Sequence, residues 1–307
     1  MMFSFRKNKT SLGLDIGSKM TKVVQLGFNG SGSPSLETCD LLETGTLDEG
    51  FSGNIKSYFK EKKFSGALVA TSIEDASMKI RKMEFPKMPE ADLLEAIKWS
   101  LRDLVEGDIE KFIVNYSTIE ETESNEAVNM SILAYAINRQ AMDDHHALIS
   151  GLGLVPFFIE PAAVTLASTL ERCYSDDVTY IAGVDLGYKN TIFYVVGKGV
   201  FVFSRPLIGI NMEEQIKDPD SFNQKLAIEI QKSIDTFKVN FKMEEISKIY
   251  LSGGGSQVSG LDDYLTQNMG VKTSLLDPLY TLSDTDRFAD VKRGLFAQAV
   301  GLAYLQP

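Results

Sequence analysis

A short pattern occurs twice in this chain. Gly13-Leu14-Asp15-Ile16-Gly17-Ser18-Lys19-Met20-Thr21 returns as Gly183-Val184-Asp185-Leu186-Gly187-Tyr188-Lys189-Asn190-Thr191, at a constant offset of 170 residues. Gly, Asp, Gly and Lys match, and an apolar residue flanks each Asp on both sides. Before the first turn Leu12, Leu14 and Ile16 alternate with small or acidic residues, and Val23, Val24 and Leu26 follow it; Ile192–Val196 follows the second. Alternation of this kind is a strand signal, so each copy predicts a β-hairpin. A repeat implies duplicated architecture. The expectation is two related lobes whose opening hairpins set their turns face to face across a cleft.

The turns carry more chemistry than a hairpin needs, since Asn-Gly or Asp-Gly alone would close one. Successive turn N–H groups can hold an anion, which makes Gly17, Ser18, Lys19, Gly187, Asn190 and Thr191 candidate donors. Asp15 and Asp185 are candidates for ordering a hydrated Mg²⁺. One such turn is as readily structural. Two of them converging point to a polyphosphate with Mg²⁺. A third segment fits this: Ile249–Ser252 reads as a strand, Gly253-Gly254-Gly255-Ser256 as a glycine loop, and Val258–Gln267 as a helix. A helix N-terminus presents free N–H groups to a ligand. The loop lacks the Gly-Lys-Ser/Thr of a Walker motif and the spacing of a dinucleotide fingerprint.

Charge narrows the function classes. The 307 residues carry a formal net charge of −11, which argues against nonspecific nucleic-acid binding and against broad adsorption to an acidic bilayer. Two cysteines, Cys39 and Cys173, offer no disulfide or metal framework, which suits a reduced cytoplasmic setting. The start, with Phe3, Phe5, Arg6, Lys7 and Lys9, lacks the apolar core of a signal peptide and reads as a frayed terminus rather than a membrane-surface contact. No apolar run reaches the length of a membrane span.

Between the landmarks the patterns are coarser. A turn is expected over residues 29–34, a helix over 54–63, and strands over 66–71 and 78–85. Pro89, in the first helical turn, opens a helix whose stripe is Leu93, Leu94, Ile97, Leu101, Leu104 and Val105. Trp99 falls off that stripe, and packing at a domain seam is preferred to a partner-site role. Strands over 109–119 and 127–137 flank an acidic tip at Glu120–Glu126, and Asn138 caps the next helix. His145 and His146 are adjacent on it and so do not share a face for a metal. After a strand over 154–159, Glu160 stands at the junction with a helix opened by Pro161. It either faces the cleft or bonds the helix start. Residues 176–179 link the lobes, and Lys198-Gly199 turns into a strand over 200–205. A long helix is expected over Ser221–Phe241. A last helix, Arg293–Leu305, has Gly294, Ala297, Ala299, Gly301 and Ala303, small residues that allow close approach at a lobe interface.

L-G-L-D-I-G-S, I-E-P-A-A, G-V-D-L-G-Y-K-N-T and L-S-G-G-G-S, in this order, resemble the actin-like ATPase superfamily of actin, sugar kinases and the cell-division protein FtsA. The resemblance implies an α/β, two-lobed actin-like (ribonuclease H-like) fold enclosing ATP, with Gly253, Gly254, Gly255 and Ser256 near adenosine. D-I-G-S-K-M-T-K-V-V-Q-L, K-M-E-F-P-K-M-P-E-A-D-L-L-E-A-I-K-W, I-Y-L-S-G-G-G-S-Q-V-S-G-L-D-D-Y-L and the ending G-L-A-Y-L look more closely like the PilM family of type IV pilus assembly proteins. That likeness implies a first lobe over 1–160 holding a small α+β insertion at about 77–156, a second lobe over 161–307, and connecting helices at about 161–173 and 293–305. It implies binding of the N-terminal tail of a PilN-like inner-membrane protein at the cleft between insertion and first lobe, with Met78, Ile80, Met83, Phe85, Leu94 and Trp99 as candidate contacts. It further implies a link to other pilus or secretion platform components, and a cytoplasmic protein recruited to the inner membrane through its partners.

The chain departs from that family's pattern. About thirty residues, 211–240, fill the stretch before the glycine-loop strand, so the second lobe reads as trimmed on its adenosine side. Val105-Glu106-Gly107-Asp108 stands where the family tends to have a proline-rich turn. Tyr188 replaces a small residue and would crowd a phosphate. Weak Mg-ATP binding with little or no hydrolysis is therefore expected, with Glu160 the one candidate catalytic group. The alternatives are an active ATPase or small-molecule kinase, and a filament-forming FtsA-like protein; self-association is left open.

Overall fold

The computed structural model describes residues 10–28, 33–44, 49–123, 128–174, 179–197, 199–241 and 243–307. The basic start before Thr10, most of the turn at 29–34, the end of the acidic tip at 124–127, the link at 175–178 and Lys198 lie outside the described residues.

In chain order the strands and helices are β1 (Thr10–Ile16), β2 (Met20–Gly27), β3 (Ser35–Glu43), α1 (Glu49–Glu61), β4 (Leu68–Ile73), β5 (Lys79–Pro86), α2 (Glu90–Leu101), β6 (Phe112–Glu123), β7 (Val128–Asn138), α3 (Arg139–Gly151), β8 (Val155–Pro161), α4 (Ala162–Tyr174), β9 (Tyr180–Leu186), β10 (Thr191–Gly197), β11 (Val200–Pro206), α5 (Met212–Lys217), α6 (Pro219–Asn240), β12 (Ile246–Ser252), α7 (Leu261–Met269), β13 (Thr273–Leu275) and α8 (Ala297–Ala303). They fall into two compact units, one made of Met1–Ser72 with Ile149–Pro307 and the other of Ile73–Leu148.

The first unit is a duplication. One sheet runs β3-β2-β1-β4-β8 and the other β11-β10-β9-β12-β13, so the two repeated hairpins hold the same places in both. β1 pairs antiparallel with β2 and parallel with β4; β9 pairs antiparallel with β10 and parallel with β12. The central strands are buried on both faces, which explains their near-continuous apolar sequence. The first sheet packs Leu12, Leu14, Val23 and Val69 against Ile55 and Phe59 of α1. The second packs Val184, Phe193 and Leu251 against Phe222, Leu226, Ile230 and Phe237 of α6, whose spacing is the four-residue stripe of its sequence.

Two helices join the lobes by crossing. α4 follows the first sheet but packs on β9, β10 and β11, whereas α8 follows the second sheet and packs on β1 and β2. The helices also meet each other: the Thr169 hydroxyl donates to the Ala297 carbonyl at 2.9 Å. This crossing is why the last helix is built of small residues. A Cβ on Gly13 would stand 2.5 Å from the Ala303 nitrogen and against the Ala299 carbonyl, and one on Gly301 would stand 2.7 Å from the Thr165 carbonyl.

The second unit is an antiparallel sheet of order β5-β7-β6. Leu93, Ile97 and Leu101 of α2 cover Met130, Ile132, Ala134 and Ala136 of β7, and Met83 and Phe85 of β5 pack onto this core. β5 is an edge strand, paired on one side only.

Several local boundaries move for physical reasons. Pro89 sits at the N-cap, with extended ψ of 144°, rather than inside the first turn. The stripe to Val105 ends as an α-helix at Leu101 and continues as one 3-10 turn. Pro161 closes β8, and α4 starts one residue later. The helix expected from Val258 starts at Leu261, because the glycine loop makes its own 3-10 turn and Gly260 is left-handed at φ 75°. The last helix is likewise split, with a 3-10 turn at Arg293–Phe296 before α8. Asn138 caps as expected, its side chain accepting from the Gln140 N–H at 2.9 Å.

Candidate functional site: paired turns and an edge-strand groove

The two repeated turns meet. Lys19, in the β1–β2 turn, holds its ammonium 4.7 Å from the ring centre of Tyr188, in the β9–β10 turn. Asp15 and Asp185 sit at corresponding strand ends, opposite Lys22 and Ile192 in the two hairpin registers. The Lys22 ammonium pairs with Asp15 at 2.9 Å, and the two side chains are only 14% and 16% exposed. Burial alone would lower the Lys22 pKa; the charge and hydrogen bond of Asp15, with the charge of Asp185, outweigh it and hold it above the ordinary 10.5. Asp185 accepts a hydrogen bond from the Ser252 hydroxyl at 2.7 Å. Burial pushes its pKa up, Ser252 and Lys22 pull it back, and Asp15 adds to the rise. Lys22 is thus bonded to Asp15, and Asp185 to Ser252, with the lysine charge felt at both carboxylates.

The glycine loop closes onto the second turn. Gly253 has φ 78°, and a Cβ there would stand 2.7 Å from the Leu186 carbonyl and 3.0 Å from an Asp185 carboxylate oxygen. Its N–H donates to the Gly294 carbonyl at 3.0 Å. The Ser256 hydroxyl donates to the Gly253 carbonyl at 2.7 Å, and Gln257 Nε2 donates to Ser256 at 3.1 Å. Ser256 therefore fastens the loop, while Gly254 is exposed and Gly255 lies against Met212 and Leu186. Among the other turn residues, Ser18, Lys189 and Asn190 are exposed. The Thr191 hydroxyl is buried and donates to the Ile210 carbonyl at 3.1 Å.

Glu160 ends β8. The Val155 N–H donates to Ala67, just ahead of β4, so β8 begins where β4 begins; β4 in turn is parallel to β1. Glu160 is thereby at the same end of the sheet as Asp15. It accepts from the Thr165 hydroxyl at 2.7 Å, and burial pushes its pKa up while that bond pulls it down. The bond it makes at the helix start is to the Thr165 side chain, not to a backbone donor. Among the described residues no cluster of three or more His, Cys, Asp or Glu could hold a metal.

Lys22 is the group that sequence reading missed. Lys19 stands nearer Asp15 in sequence, but the antiparallel register puts Lys22 directly across from it. Counting outward from a four-residue turn, Gly17–Met20, pairs Ile16 with Thr21 and Asp15 with Lys22, and would have found it. We expect Lys22→Met to cost about 2 kcal/mol at neutral pH, because it strands the largely buried Asp15 carboxylate. A lysine with a raised folded pKa contributes its stability in full below its unfolded value and loses it as pH climbs through the folded value. The gap between variant and wild type in urea titrations should then narrow above pH 10.5.

The second unit has an open groove of about 500 Å³, lined by Arg81, Lys82, Met83, Glu84, Phe85, Ser100, Asp103 and Leu104. It lies between edge strand β5 and the end of α2. Of the expected contacts it gathers Met83 and Phe85. Ile80 points to the other face of β5 by alternation, and Met78 and Leu94 lie outside the lining. Trp99 is not packed at a seam: it is 71% exposed, with the Arg102 guanidinium 4.9 Å over its ring. On the helix it neighbours Ser100 and Asp103 of the lining.

Duplicated sheets, crossing helices and paired turns define the actin-like ATPase fold. Solved structures of that architecture align with nearly the whole chain: an inorganic polyphosphate/ATP-glucomannokinase from Arthrobacter sp. strain KM at 14% identity, covering 97% of this chain and 98% of its own, with a TM-score of 0.51, and the ethanolamine utilization protein EutJ from Carboxydothermus hydrogenoformans at 14% identity, 97% and 91% coverage and a TM-score of 0.50. The chain resembles PilM more closely. The PilM–PilN type IV pilus biogenesis complex aligns at a TM-score of 0.80 and 20% identity, covering 96% of this chain and 97% of that one. Residues 207–305 match the family model described as type IV pilus assembly protein PilM. No curated protein matches the chain by sequence. No helix among the described residues is long and apolar enough to cross a membrane.

Proposed function

We propose that this protein is a cytoplasmic adaptor of type IV pilus, or related secretion, assembly, which docks the N-terminal tail of a PilN-like inner-membrane protein on its second unit. The observation that carries the docking site is the edge strand β5 with a groove along it. An unpaired edge can hydrogen-bond an extended peptide, and pockets beside it select alternate side chains. Met83, Phe85 and Leu104 supply apolar lining, and exposed Trp99 extends the surface along α2. Large exposed aromatics are frequent anchors of binding energy. Recruitment to the membrane then follows from the partner.

The cleft of the first unit is proposed to take Mg-ATP weakly. The residues fit a polyphosphate: two turns that meet at the lobe junction, Lys22 paired with Asp15 beside them, and a glycine loop packed on the second turn. A bound metal would supply charge neutralisation, with Asp15 and Asp185 as the carboxylates to order its waters. Affinity is limited because Thr191 and Ser256 spend their hydroxyls on the chain itself. Turnover needs a positioned water, and Glu160 is already engaged by Thr165. Calorimetry with ATP and Mg²⁺ should give a Kd of about 100 μM or weaker, and a phosphate-release assay no turnover above background. Tight binding, or release abolished by Glu160→Ala, would make this an ATPase instead.

A further inference from the structure

We infer that Lys19 and Tyr188 form a latch across the cleft, which holds the two turns together without a ligand and competes with one. The repeat isolates the feature. Tyr188 occupies the position that Ser18 holds in the first copy, so one turn carries a ring where its counterpart carries a hydroxymethyl group. That ring is only half-buried and lies outside its lobe's hydrophobic core, so packing does not account for it. What it meets is the Lys19 ammonium, 4.7 Å from its centre, reaching over from the other sheet.

Lys22, on β2 just after that turn, pairs with Asp15 of its own lobe at 2.9 Å. An ammonium over an aromatic face is attracted to it, and here the attraction spans two lobes. A phosphate entering between the turns would draw Lys19 off the ring, and the lost contact would subtract from its affinity. This last consequence rests on the nucleotide reading above; the latch itself does not.

Amide hydrogen exchange of the full chain, free of nucleotide, tests the latch. Tyr188→Ala should speed exchange of residues 16–20, in the opposite lobe, by about two- to five-fold, the range of an exposed cation–π contact. Tyr188→Phe keeps the ring and should match the wild type. Lys19→Ala should speed exchange at residues 187–190, and serves alone if Tyr188→Ala does not fold. Unchanged exchange in the turn opposite each substitution would overturn the proposal. Calorimetry with ATP then tests competition: Tyr188→Ala should bind about three-fold more tightly than wild type, and equal or weaker binding would overturn that part. Faster exchange with no ATP binding in any variant supports the latch and removes the nucleotide reading instead.

Discussion

Met83→Asp should weaken binding of a PilN-like tail by about thirty-fold or more, while leaving the rest of the protein folded. Met83 belongs to the edge strand, is half-buried, and borders both the groove and the core beneath it. A partner side chain set against it would face a carboxylate without a partner, a cost of about 2 kcal/mol or more. Met83→Leu keeps volume and apolarity and should bind nearly as the wild type does. Calorimetry with a synthetic tail peptide separates the two. Equal affinity for all three proteins would remove the groove from the binding surface.

The second large effect concerns stability. Gly13→Val should cost about 3 kcal/mol, at the upper end of overpacking penalties. The reason is that its side chain would meet backbone atoms of α8, Ala299 and Ala303, which cannot rotate away as a side-chain tip can. Gly301→Val drives into the Thr165 backbone from the other side of the crossing and should behave alike. Urea unfolding with a probe in each unit should shift the transition of the unit holding the duplicated sheets and leave that of Ile73–Leu148 in place. A loss below about 1 kcal/mol would mean that the crossing is looser than its contacts indicate.

Much of the duplicated frame is visible in the sequence because its signals are local and strong. Period-two alternation around Asp15 and Asp185 gives both hairpins, and the constant offset gives the matching sheets. The four-residue stripe of α6 and the small residues of α8 are readable for the same reason: each is one face of one element. What escapes is what depends on two elements at once. Lys22 is bound to Asp15 only through the hairpin register. The inward turn of Thr191 depends on the carbonyl of Ile210. Trp99 looks like a packing residue by type, and only the placement of α2 on its sheet leaves it at the surface. The glycine loop misleads in another way, since its residues hydrogen-bond within the loop and to Gly294 before the helix begins.

The adaptor reading is tested most directly by hydrogen exchange of the wild-type chain with and without the cytoplasmic tail peptide of a PilN-like protein from the same genome. The account predicts saturable binding, with exchange slowed along residues 79–86 of β5 and around Ser100–Leu104 beside it. No binding, or binding that protects other segments and leaves β5 unchanged, would contradict it.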